Sequence, residues 1–138
     1  MCELTKNYDK KTFTGYKIVA RYKGRKSLYS VAMGIKYPQD GDVIVPKTLE
    51  QSRMSTYFTS IILKSPAFHS EMVGRTAAFR KLFDVRHFFR SIVGYKRLDR
   101  VFLEIWKVRL SKDLMTGIYC GNHVVAGKHI KFLKRIKS

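Results

Sequence analysis

Lysine and arginine outnumber the acidic side chains by 28 to 10, and that imbalance limits what this chain can become. A formal charge of +18 over 138 residues repels itself in any compact state. The fold must therefore hold most cations at the surface, within reach of something polyanionic that screens them: nucleic acid, a phosphorylated ligand, an acidic protein face or an anionic membrane. Hydrophobic residues make up 45% and aromatic residues 13%, too many for a disordered basic tail. The charge is thus carried on a folded surface, and the length fits one domain with a core of its own.

Cys2 and Cys120 form neither a disulfide framework nor a CxxC pair, which fits a reducing compartment. No apolar run approaches the ~18 residues of a membrane span, and MCELTKNYDKK has no apolar signal core. The expectation is a cytoplasmic protein with no membrane partner.

Residues 1–13 read as a polar N-terminal arm and 14–138 as a single domain. In GYKIVARY, Tyr16, Ile18, Ala20 and Tyr22 alternate with Lys17, Val19 and Arg21, the two-residue period of a half-buried strand. KGRK supplies a turn, and SLYSVAMGI completes a hairpin over 16–35. Pro38, Asp40, Gly41 and Asp42 read as a loop before the apolar 43–45 segment, which Pro46 stops. Residues 57–63 read as a strand and 66–74 as a loop. Thr76 then caps a helix predicted over 77–93, with Ala78, Leu82, Val85, Phe89 and Ile92 as its apolar stripe and Gly94 at its C-terminal cap. Asp84 offers an alternative start for a second helical segment. VFLEIWKVRL, 101–110, reads as a central strand, followed by shorter strands at 114–120, 123–126 and 129–136. Ile130, Phe132 and Ile136 are expected on one face of the last, with a terminal basic helix as the competing reading. The fold class is α+β: an antiparallel sheet with one main helix packed on it.

The cations fall into clusters that point to phosphate contacts: Lys23, Arg25 and Lys26 at the hairpin turn; Arg75, Arg80, Lys81, Arg86 and Arg90 around the helix; Lys96, Arg97 and Arg100 after it; Lys128, Lys131, Lys134, Arg135 and Lys137 at the C-terminus. Tyr29 and Tyr95 stand beside basic residues and are the candidates for stacking on unpaired bases. No RNP run, GXXG clamp, zinc-finger spacing or helix-turn-helix pair is present, so the signal is electrostatic rather than modular. The carboxylates form no metal-binding group, and Asp40 and Asp42 are best explained by their turn. His69, His87, His123 and His129 are scattered; a metal-free ribonuclease built on them is the enzymatic alternative. No catalytic residue, metal or cofactor is expected.

The segments CELT…TGYKIVA, GRTAAF and VVAGKHIKFLK resemble small uncharacterised bacteriophage accessory proteins. That resemblance implies a compact α+β phage protein that disarms a host defence or modifies host machinery; it carries no assigned chemistry. Together with the charge, it leads to a non-enzymatic protein that engages nucleic acid, or a host complex containing it, through a basic face. An anti-CRISPR inhibitor is one form of this. Two other readings stay open: an inhibitor docking on an acidic protein, and a protein that sequesters a nucleotide signal.

Overall fold

The computed structural model describes residues 3–30, 36–43, 74–93, 101–119 and 121–137, and all structural statements concern these. In chain order the elements are β1 (Glu3–Asn7), β2 (Thr12–Tyr22), β3 (Tyr29–Ser30), β4 (Asp40–Asp42), β5 (Thr76–Phe79), α1 (Leu82–Val93), β6 (Val101–Ser111), β7 (Met115–Tyr119), β8 (Asn122–Gly127) and β9 (His129–Ile136). Antiparallel pairing joins the strands into one sheet in the order β1-β7-β8-β5-β2-β6-β9-β4. β3 pairs with β2 through Val19↔Ser30 and Ala20↔Tyr29, while β5 meets the same edge at Tyr16↔Phe79. Among the described residues the sheet dominates, with one helix against it.

The alternating residues of 12–22 and 101–111 make β2 and β6 partners over eleven consecutive pairs, from Thr12↔Ser111 to Tyr22↔Val101. Because side chains alternate, one face of this ladder carries Phe13, Val19, Val108 and Leu110 into a cluster with Ala78, Val125, Ile130 and Phe132. The sheet curls around that cluster: at Gly127 of β8, a Cβ would lie 3.0 Å from the Ser111 carbonyl of β6, although two strands intervene. The other face carries Ile18, Ala20, Ile105 and Val124 against Val85, Leu82, Phe88 and Phe89 of α1. Each fully buried side chain of this kind contributes about 1.5–3 kcal/mol.

Several expectations are corrected. The helix starts at Leu82, not near 77: Thr76–Phe79 pairs with β8, from Thr76↔Gly127 to Phe79↔Val124. Ala77 and Ala78 favour helix, but pairing with an apolar strand outweighs that preference. Thr76 is no cap; it is buried, and its hydroxyl bonds the Tyr37 hydroxyl at 2.8 Å. Asp84 does not start a segment either: it is the third residue of α1, inside the first turn, where a negative charge suits the helix dipole. Asp40, Gly41 and Asp42 are not a loop but a short edge strand on β9, in register from Asp40↔Lys131 to Asp42↔His129. Residues 3–7, within the stretch read as an arm, pair with β7. The last segment is a strand, and its pairing with β6 slips between Lys107 and Val108. That bulge sends Ile136 to the helix side, away from Ile130 and Phe132. The strand read at 57–63, most of the 66–74 loop, the 44–46 end of the apolar segment and the Gly94 cap lie outside the described residues.

On the inner face one carboxylate is almost fully enclosed. Glu104, its side chain 2% exposed, meets Arg21 (Nη2 at 3.1 Å, Nε at 3.2 Å) and Arg135 (Nη1 at 3.3 Å) and accepts the Trp106 indole N–H at 3.3 Å. Both arginines reach water, whereas the carboxylate does not. Stripping the arginines should therefore cost more than neutralising the acid: Arg21→Met with Arg135→Met is expected to lose about 3–5 kcal/mol, and Glu104→Gln less than half of that, in chemical denaturation. Gly15 is a second pressure point, since a Cβ there would sit 2.5 Å from both the Phe13 ring and the Phe79 carbonyl. Gly15→Ala is expected to cost about 1–3 kcal/mol, read as a lowered Tm.

Candidate nucleic-acid interface

The register of β2, β6 and β9 lays out the helix-side face in rows. Ile18, Ile105 and Ile136 lie side by side under α1. The next row is Tyr16, Lys107 and Lys134; the next is Thr14, Arg109 and Lys131; the last is Thr12, Ser111 and His129. Successive rows are about 6.8 Å apart and neighbouring strands about 4.8 Å apart. The face thus turns from apolar to cationic within one pleat.

Two like-charged pairs, Lys107↔Lys134 and Arg109↔Lys131, stand directly opposite each other. Such opposition destabilises a sheet. Arg109, Lys131 and Lys134 are exposed and Lys107 is half-buried. Among the described residues none of the four forms an ion pair. Asp40 lies opposite Lys131, but its carboxylate turns to His129 Nε2 at 2.8 Å.

The outer side of α1 continues this surface. Burying Leu82, Val85, Phe88 and Phe89 leaves Phe83, Arg86, His87 and Arg90 facing solvent, at the i, i+3, i+4, i+7 spacing of one helix side. Phe83 is 78% exposed and stacks on His87, ring centroids 6.4 Å apart and planes 11° from parallel. Arg86 Nη2 donates to the Lys137 carbonyl at 3.4 Å, joining the helix to the end of β9 three residues beyond Lys134.

The other sequence-derived candidates are distributed differently. Lys23, Arg25 and Lys26 are exposed at the β2–β3 turn, where Gly24 has φ +78°. Eight residues of β2, about 27 Å, separate Tyr22 from Thr14 in the Arg109 row, so this cluster is not brought to the face. Arg75 and Arg80 flank β5 rather than decorating the helix. Arg75 Nε donates to the Asp113 carbonyl at 3.0 Å, and the Arg80 guanidinium lies over the Tyr8 ring at 5.7 Å. Lys128 pairs with Asp113 at 2.8 Å. Arg135 is turned to the inner face by the β9 bulge and holds Glu104. Tyr29 packs edge to face with Tyr22 and borders the helix-side core. Lys96, Arg97, Arg100, Tyr95, His69, Cys2 and Cys120 lie outside the described residues.

The sequence reading missed Lys107, Arg109 and Phe83. Lys107 and Arg109 sit two apart in a segment read as a strand, which already places them on one face. Phe83 falls outside the apolar stripe of the helix, and the stacking candidates are drawn from the tyrosines alone.

His129 shows what two of the scarce carboxylates do. Its Nδ1 lies 2.9 Å from Asp42 Oδ1 and its Nε2 lies 2.8 Å from Asp40 Oδ1. Both ring nitrogens face acceptors, so both must donate, and only the imidazolium can. Asp42, and then Asp40, raise the His129 pKa above its ordinary 6.5. Lys112, bonded to Asp42 at 2.9 Å, and then His129 hold the Asp42 carboxyl below its ordinary 3.8. Among the described residues no group of three or more His, Cys, Asp or Glu is arranged for a metal ion, and no helix is long and apolar enough to cross a membrane.

No protein-family model, curated protein or solved structure matches this chain.

The clasp fixes the pH response of the β4 edge. A raised histidine pKa stabilises fully below 6.5 and is lost as pH climbs through the folded value; a lowered Asp42 pKa stabilises above 3.8 and is lost as pH falls through its folded value. β4 should therefore be held best between pH 3.8 and 6.5. In an NMR titration His129 is expected to change charge above 6.5, Asp42→Asn should bring it back toward that value, and amide exchange at residues 40–42 should quicken as it deprotonates.

Proposed function

We propose that this chain is a non-enzymatic nucleic-acid-binding protein that docks phosphates on the helix-side face of its sheet and the outer side of α1. The observation that carries this reading is the pair of opposed cations, Lys107↔Lys134 and Arg109↔Lys131, standing without carboxylates among the described residues. A sheet that tolerates this repulsion gains stability when a polyanion neutralises it. Each lysine or arginine docked on a phosphate releases counterions, so the binding is salt-sensitive and largely blind to sequence. The Phe83–His87 stack beside Arg86 and Arg90 adds an aromatic platform suited to an unpaired base. The resemblance of three segments to phage accessory proteins makes a host nucleic-acid-containing defence complex the first target to try.

The test is oligonucleotide affinity as a function of salt. Arg109→Glu with Lys131→Glu is expected to weaken binding at least tenfold for every sequence, and to flatten the slope of log K against log salt by about two. Unchanged affinity and slope would remove this face from the reading. Partner capture that survives nuclease treatment would point to an acidic protein instead.

A further inference from the structure

Beyond the Arg109 row, at the end of the β2–β6 ladder, the β1–β2 and β6–β7 connections enclose an open hollow of about 420 Å³. Its size falls within the range of small-molecule sites, and its chemistry is one-sided. Lys10, Lys11, Arg75 and Lys112 line it, with Asp113 the single carboxylate among them. That carboxylate is already satisfied from outside: Lys128 bonds it at 2.8 Å and holds it below the ordinary range. The Asp113 main-chain carbonyl accepts Arg75 Nε at 3.0 Å, which anchors the guanidinium at the rim. Lys112 shares Asp42 with His129; Lys112 and Asp42 are more than half exposed, while His129 is 26% exposed. Lys10 and Lys11 are exposed and have no acidic partner among the described residues.

The backbone adds a second observation. Lys112 and Asp113 are consecutive residues with φ of +62° and +49°, a left-handed pair that side chains rarely adopt and glycine would relieve. Keeping side chains there costs on the order of 1–3 kcal/mol per residue. It places Lys112 and the Asp113 carbonyl that anchors Arg75 side by side in the lining of the hollow. The aromatic element of the hollow is already occupied: the Tyr8 ring takes the Arg80 guanidinium over its face and meets Phe13 edge to face at 5.8 Å.

We infer that this hollow binds a chain of two or three linked phosphates, recognised through the phosphates and not through a base. Ammonium groups and an arginine fork donate hydrogen bonds and accept none, which is the complement of phosphate oxygens. Lys10 and Lys11 bring two cations with no acidic partner among the described residues, and Lys112, shared with the exposed Asp42, stands beside them, a spread of charge that matches linked phosphates better than a single one. Free polyphosphate or nucleoside triphosphate and the 5′-triphosphate end of an RNA present the same chemistry. The site stands apart from the nucleic-acid face: its lining residues lie at the sheet end, in the connections and the last residue of β1, not in the Lys107–Lys134 rows.

Isothermal titration with sodium tripolyphosphate, then ATP and GTP, tests this on the full chain. One equivalent is expected to bind, with ATP and GTP alike. Lys10→Glu with Lys11→Glu, two exposed loop positions, should weaken this at least tenfold while the Tm of the free protein stays the same. Arg109→Glu with Lys131→Glu should leave tripolyphosphate binding intact, so loss of oligonucleotide binding in that variant and loss of polyphosphate binding in the other are separable. If 5′-triphosphorylated RNA binds more tightly than 5′-hydroxyl RNA of the same sequence, and Lys10→Glu with Lys11→Glu abolishes the difference, an RNA end is the source. Equal binding of the two RNAs leaves the free polyphosphate as ligand. Absence of stoichiometric binding, or binding that the lysine reversals do not change, overturns the inference.

Discussion

The eleven-pair ladder between β2 and β6 is the constraint on which the other features rest. Side chains alternate across a sheet, so its register decides at once which residues enter the core and which meet solvent. A slip of one residue would carry Arg109 and Lys107 into the inner cluster and Val108 and Leu110 onto the helix side. The alternation of apolar residues in both strands penalises that slip heavily. The cationic rows are therefore fixed by the same pairing that builds the core.

A chain with few carboxylates must also choose where to use them. Glu104, the enclosed carboxylate of the inner face, ties Arg21 of β2 to Arg135 of β9. Asp40 and Asp42 pin the edge strand β4 through His129 and Lys112. Asp113 ties Lys128 to the β6–β7 connection. Among the described residues these four acids serve joints between chain segments, and the Lys107, Arg109, Lys131 and Lys134 rows receive none. The positive surface is bare because neutralising charge is concentrated where the fold closes.

One irregularity sorts the charges of β9. The bulge between its pairings with Lys107 and Val108 puts Lys134 on the helix side and Arg135 on the inner side. Without it Arg135 would leave Glu104, and Lys134 would point into the curl of the sheet. A single extra residue thus satisfies a buried acid and completes a cationic row, consistent with the way bulges re-aim side chains elsewhere.

Local pattern alone determined that 16–22, 101–110 and the segments at 114–120 and 123–126 are strands, that an apolar stripe through Leu82, Val85 and Phe89 makes a helix, and that the exterior is strongly basic; 129–136 it left between strand and helix. These follow from periods of two and 3.6 residues and from composition, which need no partner. Only the tertiary structure decided that Thr76–Phe79 is a strand, that Asp40–Asp42 is an edge and not a turn, and that Arg135 faces inward while Lys134 faces out. Each of those depends on pairing between residues far apart in the chain, Thr76 with Gly127 or Asp40 with Lys131. The energy of such contacts comes from the neighbour, and a sequence read segment by segment does not contain the neighbour.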